Sequence, residues 1–159
     1  MSEAHDTTVY VTAGMSEYAM PVPPSKQKLY SPRIELMATL AGQSTAGPPD
    51  REDDISAWLL AIADNVLNSH SFIGVGHTLD FEERLAPDTE MTAFLFTPPV
   101  GVDERRLCRC TNAKAILNVV PITAAEINLA RQESVEALIE CLADSGVDPV
   151  FDCARKSAV

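Results

Sequence analysis

Apolar and polar positions change period several times along the chain, and each change marks an element. Thr8-Val9-Tyr10-Val11-Thr12 is a β-branched and aromatic run that stops at Gly14, the pattern of a strand ending in a turn. Pro21 to Pro24 and the polar Ser25 to Lys28 read as loop, because proline fixes φ and offers no ladder donor. From Ile34 to Leu40 two periods compete. Ile34, Leu36, Ala38 and Leu40 alternate as in a half-buried strand, while Ile34, Met37, Ala38 and Ala41 fit a helical stripe. After a Gly/Ser/Thr/Pro loop from Gly42 to Pro49, the acidic Asp50 to Asp54 suits a helix N-terminus. Ile55, Trp58, Leu59, Ile62, Val66 and Leu67 then recur at three- and four-residue steps, which predicts an amphipathic helix of about three turns.

Phe72 to Phe81, Met91 to Phe96 and Ala115 to Val120 read as three further strands. Gly74 and Gly76 permit a bulge or the close approach of another backbone, and Pro98-Pro99 and Pro121 end the last two strands. The sharpest local signal follows. Thr123 and Glu126 form a Thr-x-x-Glu capping box, with Ile122 and Ile127 placed as its hydrophobic staple, so a helix begins at Ala124. Ser134 interrupts that helix or caps a second one, whose stripe is Val135, Leu138, Ile139 and Leu142 before Gly146 stops it. Strands first and helices grouped after them predict an α+β domain, with helices packed on one mainly antiparallel or mixed sheet. Residues 1–159 read as a single domain in which Met1 to Thr7 is a disordered or edge tail.

Composition narrows the function more than the fold. A chain of 159 residues with 46% hydrophobic content can bury about two thirds of its unfolded surface and needs no metal or disulfide staple. No apolar run approaches the ~20 residues of a membrane span, and Met1 to Thr8 lacks a basic or apolar signal region. The expectation is a soluble cytoplasmic protein with reduced Cys108, Cys110, Cys141 and Cys153. A net charge of −11 disfavours a nucleic-acid backbone or an anionic membrane as partner. Most of that charge is local. Between Asp50 and Glu90 ten acids face only Arg51 and Arg84. Asp50, Glu52, Asp53, Asp54, Asp80, Glu82 and Glu83 make a candidate patch for steering a basic partner, the alternative being an acidic surface kept for solubility.

Two constellations invite chemistry. Cys108-Arg109-Cys110 lies beside Arg105 and Arg106, whose charges would favour a thiolate nucleophile. Read as a strand, however, Cys-x-Cys sends its thiols to opposite faces, and no nearby His completes a zinc spacing. His77, within Gly74-Val75-Gly76-His77-Thr78-Leu79, suits either an acid/base role or a structural bond to backbone. The enzymatic alternative is therefore a hydrolase or thiol oxidoreductase pairing His77 with Cys108 or Cys110. No phosphate-cradling Gly-rich loop or His-Glu-x-x-His helix is present, so no cofactor is implied.

Val11-Thr12-Ala13-Gly14-Met15-Ser16, followed by Met20-Pro21, resembles the suppressor-of-fused-like domain family, whose members carry a strand leading into Gly-Met-Ser. Further stretches agree in order: Arg33-Ile34-Glu35-Leu36-Met37, the helix from Trp58 to Asn65, Gly76-His77-Thr78, and Asn118-Val119-Val120-Pro121-Ile122 with Glu126. Arg155 after Asp152 is similar to the family's closing Asp-x-x-Arg, so the resemblance spans about Val9 to Arg155. It implies a strand at Ile34 to Leu40 and no catalytic residue. Gly14, Met15, Ser16, Glu35, Leu36, Trp58, Gly76, His77, Pro121, Glu126 and Arg155 are its family-motif residues, structural or binding. Members usually carry one more strand upstream of the Gly-Met-Ser strand, and only Met1 to Thr7 precede that strand here, so either this chain begins late or a sheet edge is bare. In animals the full-length relative sequesters a transcription factor by clamping a peptide as an added strand, and bacterial single-domain relatives resemble immunity proteins of polymorphic toxin systems. The resemblance implies a non-enzymatic protein-binding module, an immunity-type inhibitor or adaptor whose partner is a protein such as a basic toxin domain. A purely structural role, with the first strand pairing into a homodimer, is the remaining alternative.

Overall fold

The computed structural model describes residues 7–41 and 51–159, and only the backbone of Ala41 and of Arg51 to Asp53. Five strands, β1 (Thr7–Val11), β2 (Ile34–Ala41), β3 (Thr78–Asp80), β4 (Met91–Thr97) and β5 (Ala115–Thr123), form one sheet in the order β1-β2-β5-β4-β3. The β2/β5 pair is parallel and the other three pairs are antiparallel, so the sheet is mixed. Four helices accompany it: α1 (Arg51–Asn68), α2 (Glu104–Arg109), α3 (Ala124–Gln132) and α4 (Val135–Asp144). This is the expected α+β class. No helix among the described residues is long and apolar enough to cross a membrane.

Strand alternation divides the core between two faces. Ile34, Leu36, Ala38, Phe94, Phe96, Leu117 and Val119 meet Ile55, Leu59, Ile62 and Val66 of α1 on one face. On the other, Ala93, Leu95, Val120 and Ile122 meet Ile127 of α3 and Leu138 and Leu142 of α4, while Met37 and Ile116 meet Leu107 and Cys108 of α2. Ladder pairing on both sides makes Ile34–Ala41 a strand, and Ile34 to Ala38 are buried on both of its faces.

Several boundaries differ from the sequence reading. Thr7 belongs to β1 and not to the tail; Met1 to Asp6 lie outside the described residues, as does the Gly42 to Pro49 loop. Helix α1 runs 18 residues, because Arg51 to Asp54 already turn. Of Phe72 to Phe81 only Thr78–Asp80 is a strand, as Gly76 has φ +83° and closes a turn in which the His77 amide donates to the Gly74 carbonyl. Cys108 lies on α2, with Cys110 as its C-cap, so the strand geometry assumed for Cys-x-Cys does not apply.

Pro121 does not end β5, which continues to Thr123. Strands β2 and β5 stay paired only from Ile34↔Ala115 to Met37↔Asn118 and then part. The Pro121 carbonyl points into this gap, where Arg155 Nη2 donates to it at 2.8 Å. A strand residue's nitrogen and carbonyl face the same side, so the missing Pro121 N–H falls where no neighbouring strand requires it. The C-terminal segment fills the opening. Phe151 N donates to the Thr39 carbonyl at 2.7 Å and Asn118 Nδ2 to the Pro149 carbonyl at 2.9 Å, so tail and strands share bonds that a longer ladder would have made.

Candidate functional site

The family-motif residues gather into three structural knots. In the first, Glu35 on β2 is fully buried and forms no ion pair among the described residues. Its Oε1 accepts from Gly14 N at 3.0 Å, Ser16 N at 3.0 Å and Ser16 Oγ at 2.6 Å, and its Oε2 accepts from Thr12 Oγ1. Gly14, at φ +121°, turns the chain so that these donors converge, a conformation an L side chain rarely takes. Burial alone would push the Glu35 carboxyl up, but the Ser16, Thr12 and Gly14 hydrogen bonds hold it below the ordinary carboxylate value. Arg33 closes the knot by donating from Nη1 to the Ser16 and Glu17 carbonyls at 2.7 and 2.8 Å. Met15 and Leu36 are core residues on the α1 face.

The second knot is built on the capping box, which forms as the sequence predicts: Thr123 Oγ1 accepts from Glu126 N at 3.2 Å, and Glu126 Oε2 accepts from Thr123 N at 2.9 Å. Arg155 then grips the same carboxylate with two parallel bonds, Nη1 to Oε1 at 2.6 Å and Nη2 to Oε2 at 2.8 Å. Ala158 N adds a bond to Oε1 at 2.8 Å. Burial would raise the Glu126 carboxyl, and Arg155, Ala158 and Thr123 bring it below its usual value. One carboxylate thereby caps α3 and anchors the C-terminal segment.

The third set is aromatic and consists of two separate groups, one around Trp58 and one around His77. Trp58 lies edge-on to Phe81 at 5.1 Å between centroids and donates from Nε1 to the Leu85 carbonyl at 3.2 Å. His77 packs against Tyr30 at 4.8 Å and Phe72 at 5.6 Å. Burial and the nearby Lys26 charge lower its pKa despite an opposing bond with the Phe72 backbone, so the imidazole is neutral at pH 7. Gly74 does admit a close approach, of a ring and not of a backbone: a Cβ there would stand 2.1 Å from Tyr30 Cδ1. Nothing in residues 72–77 names Tyr30 as that partner, which only the fold reveals.

The proposed thiol–imidazole pair is not assembled. Cys108 packs with Met37, Ala113 and Ile116 on the α2 face, while His77 and its rings belong to the α1 face. Burial and then Glu104 push the Cys108 thiol up, with Lys114 opposing, so its arginine neighbours do not produce a thiolate. Among the described residues no His, Cys, Asp and Glu cluster could hold a metal ion.

The acidic stretch divides. Asp80 is paired with Arg131 at 3.0 Å and also accepts from Glu82 N at 2.9 Å. Glu82 and Glu83, and Asp88 and Glu90 beyond them, stand exposed on the loop from β3 to β4. The Trp58–Phe81 contact brings α1 against this loop, and Asp54, exposed one turn before Trp58, extends the same surface. Asp50 lies outside the described residues, as do the side chains of Glu52 and Asp53. At the opposite sheet edge, Thr12 N donates to the Leu36 carbonyl at 2.9 Å, which fixes the phase of the β1/β2 ladder. Thr7, Val9 and Val11 therefore turn their backbone groups outward, and no described residue bonds them.

Known structures share this fold. The chain superposes with a TM-score of 0.68 on the structure titled the Sufu-Fu complex, at 14% identity, covering 94% of this chain and 69% of that one. It matches a protein from Neisseria gonorrhoeae FA 1090 described as a SUFU (suppressor of fused protein) homolog with a TM-score of 0.53 and 16% identity, covering 99% and 90% of the two chains. It matches Drosophila Suppressor of Fused with a TM-score of 0.65 at 12% identity, covering 94% of this chain but 38% of that longer one. No curated protein matches it significantly in sequence. The family model for Suppressor of fused protein (SUFU) matches residues 1–156, and the chain belongs to that family.

Proposed function

We propose that this chain is a non-enzymatic, cytoplasmic protein-binding module, an immunity-type inhibitor or adaptor whose partner is a basic toxin domain. A protein–protein role is supported by its likeness to a structure titled as a complex of Sufu with Fu. The observation that carries the basic partner is the exposed surface of Asp54, Glu82, Glu83, Asp88 and Glu90, none of which forms an ion pair among the described residues. Exposed carboxylates without ion pairs among the described residues, on a chain of net charge −11, raise the encounter rate with a cationic protein in a salt-dependent way. The test is capture with the purified products of adjacent genes, followed by titration at rising salt for wild type and for Glu82→Lys/Glu83→Lys. Slower association for the variant supports the reading; an association rate indifferent to both salt and charge reversal refutes it.

The β1 edge favours assembly as a second reading. Its outward backbone groups at Thr7, Val9 and Val11 are flanked by no charged side chain within the strand, so a second copy could pair with it antiparallel across a two-fold axis. Val9→Pro would remove one outward N–H without touching the β1/β2 ladder. Sedimentation showing a wild-type dimer that this substitution dissociates supports the pairing, and a monomer at all concentrations refutes it.

A further inference from the structure

Charge of the opposite sign is concentrated on α2, away from the acidic loop. Four of the chain's twelve basic residues, Arg105, Arg106, Arg109 and Lys114, fall within this short stretch, and all four are exposed. At about 100° per helical residue, Arg105, Arg106 and Arg109 share one outward arc, while Glu104, Leu107 and Cys108 turn inward. The neighbouring carboxylates are engaged elsewhere. Asp103 caps the helix by accepting from Arg106 N at 3.1 Å, and Glu104 Oε1 accepts from Ile116 N at 3.0 Å. The four cations therefore form no ion pair among the described residues, where Arg131–Asp80 and Arg155–Glu126 are the pairs. Beside them lies a surface hollow lined by Glu17, Arg33, Cys108, Thr111, Asn112 and Lys114. A basic residue in the last turn of a helix complements the dipole, which accounts for Arg109 and Arg106 but not for Arg105 or Lys114.

We propose that the α2 face and its hollow dock an acidic, carboxylate-bearing segment of a partner protein. Charge complementarity selects the occupant. A nucleic acid brings a long run of phosphates that the whole chain, at −11, repels, whereas a short acidic segment meets mainly the local field. At physiological salt that field extends about 8 Å. The acidic loop follows β3, two strands from β5, on the order of 10 Å away across the sheet. Asn112 and Thr111 add neutral donors and acceptors suited to a peptide backbone, and Asn112 Nδ2 donates to the Glu17 carboxylate at 2.7 Å. This surface does not depend on the basic-partner reading, because it uses other residues and the opposite charge.

The experiment measures anisotropy of fluorescein-labelled octaglutamate titrated with the full chain. Wild type binds at physiological salt, where the acidic loop is screened, and weakens as salt rises further. Arg105→Ser/Arg106→Ser/Arg109→Ser binds roughly tenfold more weakly, the order expected when three exposed charge contacts are lost. Lys114→Glu, outside the helix, weakens binding as well and keeps the test valid if the triple variant unfolds. Lys28→Ser/Arg84→Ser, which removes two exposed cations elsewhere, leaves affinity unchanged. Absence of binding at physiological salt, wild-type affinity in both the triple and the Lys114 variants, or tighter binding of an oligonucleotide of equal length through the same arginines overturns the proposal.

Discussion

Removing the Arg155 guanidinium should cost this fold more than any exposed substitution, and the bond list sets the size. Arg155→Met deletes two bonds to Glu126, at 2.6 and 2.8 Å, and the bond to the Pro121 carbonyl at 2.8 Å, while keeping much of the side chain's bulk. Glu126 is left fully buried with only Thr123 N and Ala158 N as donors. Breaking a buried pair by removing one partner costs about 3–5 kcal/mol. The Arg155 side chain is 11% exposed, so water can reach part of the vacated site, and the lower end, about 3 kcal/mol, is expected. For a chain of this size that lowers Tm by roughly 6–12 °C. Glu126→Gln sets an amide NH2 against Arg155 Nη1 and Ala158 N and should cost about 2 kcal/mol. The double variant loses both charges together, so it should be more stable than the sum of the singles by about 1–2 kcal/mol. Urea denaturation followed by Trp58 fluorescence and far-UV circular dichroism measures all three. A cost below about 1 kcal/mol for Arg155→Met, or strict additivity in the double variant, would show that the clamp is replaceable by solvent.

Three further outcomes are expected. Glu35→Gln should lose about 2–3 kcal/mol by urea denaturation, because an amide cannot accept from Thr12, Gly14 and Ser16 together, and an unchanged midpoint would contradict that accounting. Gly74→Ala should destabilise by about 1–3 kcal/mol in a thermal melt, since its Cβ would overlap the Tyr30 ring at 2.1 Å, whereas Tyr30→Ala/Gly74→Ala should show no additional penalty from the glycine change. The pH dependence carries two signs of the same direction. Glu35 and Glu126 have lowered folded pKa values, so their contribution is complete above the ordinary value of about 4.3 and is lost as pH falls through the folded values. His77, also lowered, resists protonation in the fold, so stability falls once pH drops below its ordinary value of about 6.5. His77→Phe should flatten the stability slope between about pH 5 and 7 while leaving the steeper acid limb, and an unaltered slope would refute the assignment.

What the sequence disclosed followed the range of the physics involved. Thr123 and Glu126 were readable as a cap because both partners lie within one turn, and α1 and α4 because an apolar stripe repeats locally. The Glu35 and Arg155 knots were reachable only through family resemblance, since a carboxylate's partners 19 to 29 residues away leave no periodic trace. Pro121 misled because proline usually stops a ladder, and only the parting of β2 from β5 makes its missing N–H harmless. Helix α2 was missed for brevity: six residues give too few turns for a stripe, although Asp103 was available as an N-cap. The acidic surface was legible as composition, but the withdrawal of Asp80 into a pair with Arg131 was not.

The splayed β2/β5 junction has a consequence for how the chain is made. Its sealing groups, from Pro149 to Ala158, follow all five strands in sequence, so a ribosome must release those strands and the segment through Ala158 before the fork can close. Until then the Thr39 carbonyl, the Asn118 amide and the Glu126 carboxylate lack the tail that bonds them. Nascent chains stalled upstream, or products clipped by a protease before Pro149, would carry an unclosed fork and should be recognised by quality-control machinery as unfinished.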